Sequence, residues 1–298
     1  MSIESEKSDI KLLAGNYCVS FIDLLGQRDA LRGQGLLPPF ESEEERNKLN
    51  GVIRNSVGAI IKLQEQAEEM LSEFLNPNPN STLRAALPPE QHAVWDEMQL
   101  TRIKTQRWSD GLVSFMCLGD TDIKCRMNGV FGIFGLAGTL CLLGLATRRP
   151  IRGAIEVAWG VELHPGELYG AVVARAYELE SEVAQYPRIV VGPETVKLLK
   201  AHAANPGQDL YSQNDRELAT LCLSMLVQDA DGHSILHYLG DNFQQSVSQD
   251  SHAKLYVAAR EFVLEQLLEH QASLNTKLSF RYSHLLQYFD AHPGGDST

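Results

Sequence analysis

The chain has no pair of cysteines at CxxC spacing, and none of its five cysteines stands at metal-ligand spacing from a histidine. That excludes a zinc ribbon and a thioredoxin-type redox motif. Most of Cys18, Cys117, Cys125, Cys141 and Cys222 lie in apolar surroundings and read as small core residues, which suits a reducing cytosol. His92, His164, His202, His233, His237 and His252 are scattered without a carboxylate or thiol partner at ligand spacing. Positive charge is in deficit, with 26 Lys and Arg against 38 Asp and Glu and a net charge of −12. Such a chain is not built to hold nucleic acid by its phosphates. It can still take a nucleoside triphosphate where metal ions screen the phosphates. There is no GxxxxGK[ST] motif, hence no P-loop, and there is no internal repeat or low-complexity tract. The opening MSIESEKSDIK is charged where a secretory signal has its apolar region.

Long uncharged runs are also rare, and one stands out. GVFGIFGLAGTLCLLGLA at 129–146 sits at the lower edge of membrane-spanning length. Its glycines, and its place between two strand-like runs, predict a helix packed inside the domain or at a subunit contact. The expectation is a cytoplasmic protein with no membrane insertion.

What is present fits a globular chain. Its 298 residues exceed the commonest domain size of about 100–150 residues, and 44% hydrophobic content allows a sizeable core. Residues 1–13 read as a flexible arm. Apolar residues at three- and four-residue steps (Leu49, Val52, Ile53, Val57, Ile60, Ile61, Leu63) predict a helix over 43–75. NPNPNSTLRAALPPE at 76–90 reads as an exposed insertion, followed by a short helix near 91–98. RIKTQRW and LVSFMCL flank Asp110–Gly111 as a hairpin. Strands follow at 151–160, 187–192 and 232–239, with a turn at 164–167 and helices at 170–184 and 194–203. Residues 252–290 carry a helical pattern. The expected architecture is α+β, an antiparallel sheet with helices on one face over 14–240, and a helical C-terminal extension over 241–298.

The chemistry centres on NYCVSFIDLLGQRDAL at 16–31. Tyr17 to Ile22 form a buried strand that delivers Asp23 to a tight turn, with Gly26 giving the backbone room and a helix beginning near Arg28. N–H groups at such a helix start suit a phosphate. A second acid, Asp110, stands at the hairpin tip. If their strands are neighbours, the two carboxylates repel unless a cation lies between them, and oxygen ligands suit Mg²⁺ or Mn²⁺. A capping role for Asp23 and a turn role for Asp110 need no metal.

FIDLLG resembles the first metal-binding motif of the class III nucleotidyl cyclases, and RWSDGLVSF the second. IRGAIEVAWG at 151–160 is similar to that family's next strand, and YGAVVARAYELE at 169–180 to its catalytic helix. The order and spacing match from about residue 14 to residue 240. The resemblance implies a ferredoxin-like cyclase fold and a head-to-tail homodimer with shared active sites. There are departures. The helix carries Ala174 and Glu178 where the family has its transition-state Asn and Arg, and Gln106 and Glu167 replace the purine-reading Lys and Asp. The phosphate-contacting Lys of the last strand is missing near Leu236 and His237. A GGDEF-type tip is absent, which argues against a diguanylate cyclase.

Lost purine readers with both acids kept resemble the bacterial pyrimidine cyclases of Pycsar anti-phage defence. The implied activity converts UTP, or alternatively CTP, to the 3′,5′-cyclic monophosphate and pyrophosphate, and the product acts on a separate cyclic-nucleotide-binding effector. The implied metal set is two divalent cations, Mn²⁺ or Mg²⁺, on Asp23, Asp110 and the Leu24 carbonyl. Phe21, Leu24, Leu25, Gly26 and Gln27 would hold the nucleotide, with the N–H groups of Leu25, Gly26 and Gln27 on the phosphates. Gln106, Trp108 and Glu167 would meet the base, and Arg175 the α-phosphate charge. The rival reading is a catalytically inactive cyclase-like domain that binds a nucleotide as a sensor.

Overall fold

The computed structural model describes residues 13–27, 31–32, 35–37, 39–75, 82–247 and 252–293. Its centre is strand β1 (Leu13–Leu24), whose Tyr17, Val19 and Phe21 are buried on one side and Cys18, Ile22 and Leu24 on the other. A strand apolar on both sides has to lie inside a sheet. Helix α1 (Glu43–Leu75) opens with Glu43, Glu44 and Glu45, which suit the positive end of its dipole. A short helix, α2 (His92–Met98), leads to the hairpin of β2 (Lys104–Trp108) and β3 (Gly111–Cys117). Then come α3 (Arg126–Ala146), β4 (Ile151–His164), β5 (Glu167–Tyr169) and α4 (Ala171–Glu178). Helix α4 passes into a π-helical turn, Leu179–Val183. The chain continues through β6 (Ile189–Val191), α5 (Pro193–Ala203), α6 (Leu210–Ser224), β7 (Leu226–Gln228) and β8 (Ser234–Leu236). Helices α7 (Asp241–Val247), α8 (His252–Ala272) and α9 (Thr276–Ala291) close it.

The strands form one eight-stranded sheet in the order β2-β3-β1-β4-β6-β8-β7, with β5 paired to β4. Every pairing is antiparallel except β4–β6. The protein is thus mixed α/β with a mostly antiparallel sheet.

Helices are not confined to one face, contrary to expectation. The larger core joins Cys18, Ile22, Leu24, Leu112, Met116 and Ile155 of the sheet to α1, α3, α5, α6, α8 and α9. A smaller core on the opposite face joins Tyr17, Val19, Phe21, Val113 and Phe115 to Leu168 of β5 and to Val172, Val173 and Ala176 of α4. The strand period of two sends alternate residues of β1 to the two cores.

The boundary expected at residue 240 has no counterpart in packing. Tyr256, Ala259, Phe262, Val263, Leu285 and Phe289 of α8 and α9 belong to the same core as α3. The apolar run at 129–146 is the body of α3, which is long and apolar enough to cross a membrane but has most of its surface buried inside the protein. A Cβ on Gly138 would lie 2.4 Å from the Phe243 ring, so this helix is fitted to protein neighbours.

Candidate functional site

Asp23 is the penultimate residue of β1, facing Gly111 on β3 and Arg152 on β4. Asp110 occupies the two-residue turn between Trp108 and Gly111, where Ser109 takes a left-handed backbone with φ of 53°. A Cβ on Gly111 would stand 2.7 Å from the Ile22 carbonyl, so glycine is required where β3 closes on β1 beside the acids. The hairpin thereby brings the two predicted acids together, near enough for the Asp110 charge to act on Asp23.

The fold adds two residues that sequence reasoning did not assign. The Arg152 guanidinium lies 3.7 Å from Asp23 Oδ2 and, through Nε, 2.5 Å from Glu180 Oε1. Glu180 sits in the π turn after α4 and is almost wholly buried. The available signal was an arginine at the second residue of β4, which the pairing sets directly across from Asp23. Burial pushes the Asp23 carboxyl up to about 6, and the Asp110 charge adds to this while Arg152 opposes it. Burial likewise raises Glu180 to about 7, against the pull of Arg152. Two carboxylates, Asp23 and Glu180, thus share one guanidinium, with the Asp110 charge nearby.

Other expected contacts are redistributed. Phe21 is only 2% exposed and belongs to the smaller core, so it supports the site from beneath instead of meeting a ligand. Its ring meets Trp108 edge-on at 6.0 Å and Tyr177 at 5.5 Å. Trp108 is half exposed beside the acid pair, where a base could stack. The Leu24 side chain is buried in the larger core, leaving its main chain for the site. The Leu25 N–H donates to the Pro150 carbonyl at 2.9 Å and is withdrawn from the phosphate set. Gly26 has φ of 88°, the backbone freedom expected of it, and Gln27 follows. Arg28 lies outside the described residues.

Gln106 accepts a hydrogen bond from the Leu168 N–H at 3.0 Å, which ties β2 to β5 and engages its amide oxygen. Glu167, one residue earlier, is exposed at the same junction. Arg175 is exposed on α4, and its charge acts on the buried Glu156. Ala174 and Glu178 both face outward.

Among the described residues no group of three or more His, Cys, Asp and Glu side chains is arranged to hold a metal ion. Two carboxylates and a main-chain carbonyl still fit Mg²⁺ or Mn²⁺, which keep most of their shell for water and phosphate oxygens.

Both upward shifts mean that the folded chain holds protons the unfolded chain has released, from about pH 4 to pH 7. Stability from these groups is therefore full at low pH and falls as pH rises through about 6 and 7. Asp23→Asn is expected to be more stable than wild type at pH 8 by roughly 1–3 kcal/mol, a gap that closes below about pH 5. Mn²⁺ should raise the wild-type melting temperature at pH 8 and leave that of Asp23→Asn unmoved. Equal melting of the two proteins at pH 8, with and without Mn²⁺, would count against a strained acid pair. Comparison with protein-family models, curated proteins and solved structures finds no match.

Proposed function

We propose that the protein is a cytoplasmic nucleotidyl cyclase that converts UTP to 3′,5′-cyclic UMP and pyrophosphate, as a second messenger in anti-phage defence. The observation that carries this reading is the juxtaposition of Asp23 and Asp110 across the β1–β3 pair, at the open end of the sheet. Supporting it, strands β2-β3-β1-β4, with α1 between β1 and β2 and α3 between β3 and β4, follow the order of a ferredoxin-like fold.

Asp23, Asp110 and the Leu24 carbonyl would hold two divalent cations. When bound there, such ions neutralise the triphosphate and ease ionisation of the ribose 3′-hydroxyl. The residues themselves orient the substrate. Gly26 and Gln27 offer main-chain N–H groups to phosphate oxygens. Trp108 flanks the acids with an aromatic face for the base. Arg152 holds Asp23 and Glu180 in place, which fixes the carboxylate against the developing charge. In-line attack of the 3′-oxygen on the α-phosphorus forms the cyclic ester and expels pyrophosphate.

In a head-to-tail homodimer, Gln106, Glu167 and Arg175 would serve the nucleotide held by the partner's acids. Gln106 keeps its NH₂ donor free of the Leu168 contact, which suits an acceptor of uracil or cytosine. That donor suits either pyrimidine, so the order of UTP and CTP is left to the rate comparison. A sensor that binds nucleotide without turnover is the second reading, favoured by Arg152, a fixed cation already beside Asp23. Incubation with each of UTP, CTP, ATP and GTP plus Mn²⁺, read as pyrophosphate release, separates the two. A pyrimidine is expected to turn over fastest. Fastest turnover of a purine would refute the pyrimidine assignment, and nucleotide binding without pyrophosphate would establish the sensor.

A further inference from the structure

A cleft of about 240 Å³ lies at the other end of the sheet from the acids. Asn16, Leu118, Arg126, Val157, Leu198 and His202 line it. Asn16 precedes Asp23 by seven residues along β1, about 23 Å by strand rise, so the cleft and the acid pair are separate places.

Arg126 is the first residue of α3, where the helix dipole is positive and an acid is the favoured occupant. The first turn of α3 holds no acid. Asp215 does approach, but its carboxylate accepts from the Met127 N–H at 3.1 Å and lies 3.5 Å from His202 Nδ1. It lies on those groups and not on the guanidinium. Arg126 is half-buried, its Nε is covered without an acceptor, and among the described residues no carboxylate pairs with it. A guanidinium in that state carries a desolvation cost that only an oxygen acceptor offsets. Leu118, Val157 and Leu198 add apolar walls next to this donor.

We infer that the cleft between β1, β4, α3 and α5 binds a small organic anion, its carboxylate or phosphate on Arg126 and its short apolar body against Leu118, Val157 and Leu198. A planar guanidinium fork matches either oxyanion. The volume lies below the roughly 300 Å³ at which drug-sized pockets begin, so the ligand is limited to a few heavy atoms beyond its charged group. His202 lines the same cleft. Occupancy of this cleft is independent of any turnover at Asp23.

The test is calorimetric titration of the full chain with butyrate, butyl phosphate, inorganic phosphate and 1-butanol. One butyrate or butyl phosphate per chain is expected, at least about ten-fold tighter than 1-butanol, with inorganic phosphate weaker than butyl phosphate. The stronger of the two organic anions names the head group. Arg126→Gln should weaken binding about ten-fold or more, and Asp23→Asn should leave it unchanged. In wild type, the Arg126 Nε–H resonance should shift on titration, a readout that needs no variant to fold. Absence of binding by both organic anions below about 10 mM would overturn the inference. So would binding that persists in Arg126→Gln with a stationary Arg126 resonance. Inorganic phosphate binding as tightly as butyl phosphate would overturn the apolar half.

Discussion

Asp23→Ala and Asp110→Ala are each expected to lower pyrophosphate release from UTP by roughly 10³-fold or more while the protein stays folded. The two acids sit at element ends, Asp23 at the close of β1 and Asp110 in the hairpin turn, and neither is in a hydrophobic core. Truncating either one removes half of the pair that would hold the divalent ions. Stability should move the other way. Asp23 is strained upward by burial and by Asp110, so either substitution relieves repulsion, and neither variant should melt below wild type at pH 8. Loss of turnover with retained or raised melting temperature separates a catalytic role from a structural one. Near wild-type turnover in either variant would sink the two-ion reading. A variant that loses turnover by losing its fold would show that the acids hold β1 to β3 instead.

Much of this arrangement was legible because it rests on local patterns. The strand–turn at Asp23 and the Asp110–Gly111 hairpin are written within a few residues each, and strand pairing then placed the two acids side by side. The helix at 43–75 was legible from apolar residues at helical steps, and its bounds agree with α1. What failed was what depends on distant partners. Helix α6 and strand β7 went unread because the polar start of 210–217 hides the apolar run that follows, and Ala219 and Cys222 are buried only in the core they share with α3 and α8. The helical pattern over 252–290 holds, but its division into α8 and α9 at Leu274, which has φ of 54°, with Asn275 capping α9 through the Leu278 N–H, was not read.

Arg152 and Glu180 were missed for a related reason. Residue spacing gives no hint that a π turn follows α4, and the π turn is what carries Glu180 under Arg152. The roles carried over from the cyclase resemblance fared unevenly. The fold engages Gln106, Leu25 and Phe21 in holding itself together, through Leu168, Pro150 and the smaller core respectively. A side chain's partners are set by tertiary contacts, which a family motif does not specify.

Removal of Arg188 is expected to cost the fold more than loss of any group in the acid site. Arg188 is 3% exposed at the entry to β6 and joins four parts of the chain. Its Nη1 donates to Asp229, and its Nη2 donates to Asp231 at 2.6 Å and to the Val183 carbonyl at 2.7 Å. The guanidinium also lies over the Tyr186 ring at 4.5 Å. Asp229 in turn accepts from Tyr186 and sits 2.9 Å from His284 Nε2 on α9. Burial alone would raise the Asp229 carboxyl, but hydrogen bonds from Tyr186, His284, the Ala230 N–H and Arg188 hold it down to about 2. Arg188→Met keeps the apolar volume but leaves Asp229 buried without its guanidinium, the situation in which breaking a buried ion pair costs about 3–5 kcal/mol. For a chain of this size the melting temperature should fall by roughly 10 °C. Adding Asp229→Asn to Arg188→Met should recover part of the loss, because the uncompensated charge goes with it, whereas additive losses would show that packing and not charge is at stake. The hub links α9 to the turn that carries Glu180, so Arg188→Met should also loosen Glu180 and lower turnover below the melting transition. Melting within about 2 °C of wild type would mean that water reaches Asp229 and the hub holds nothing.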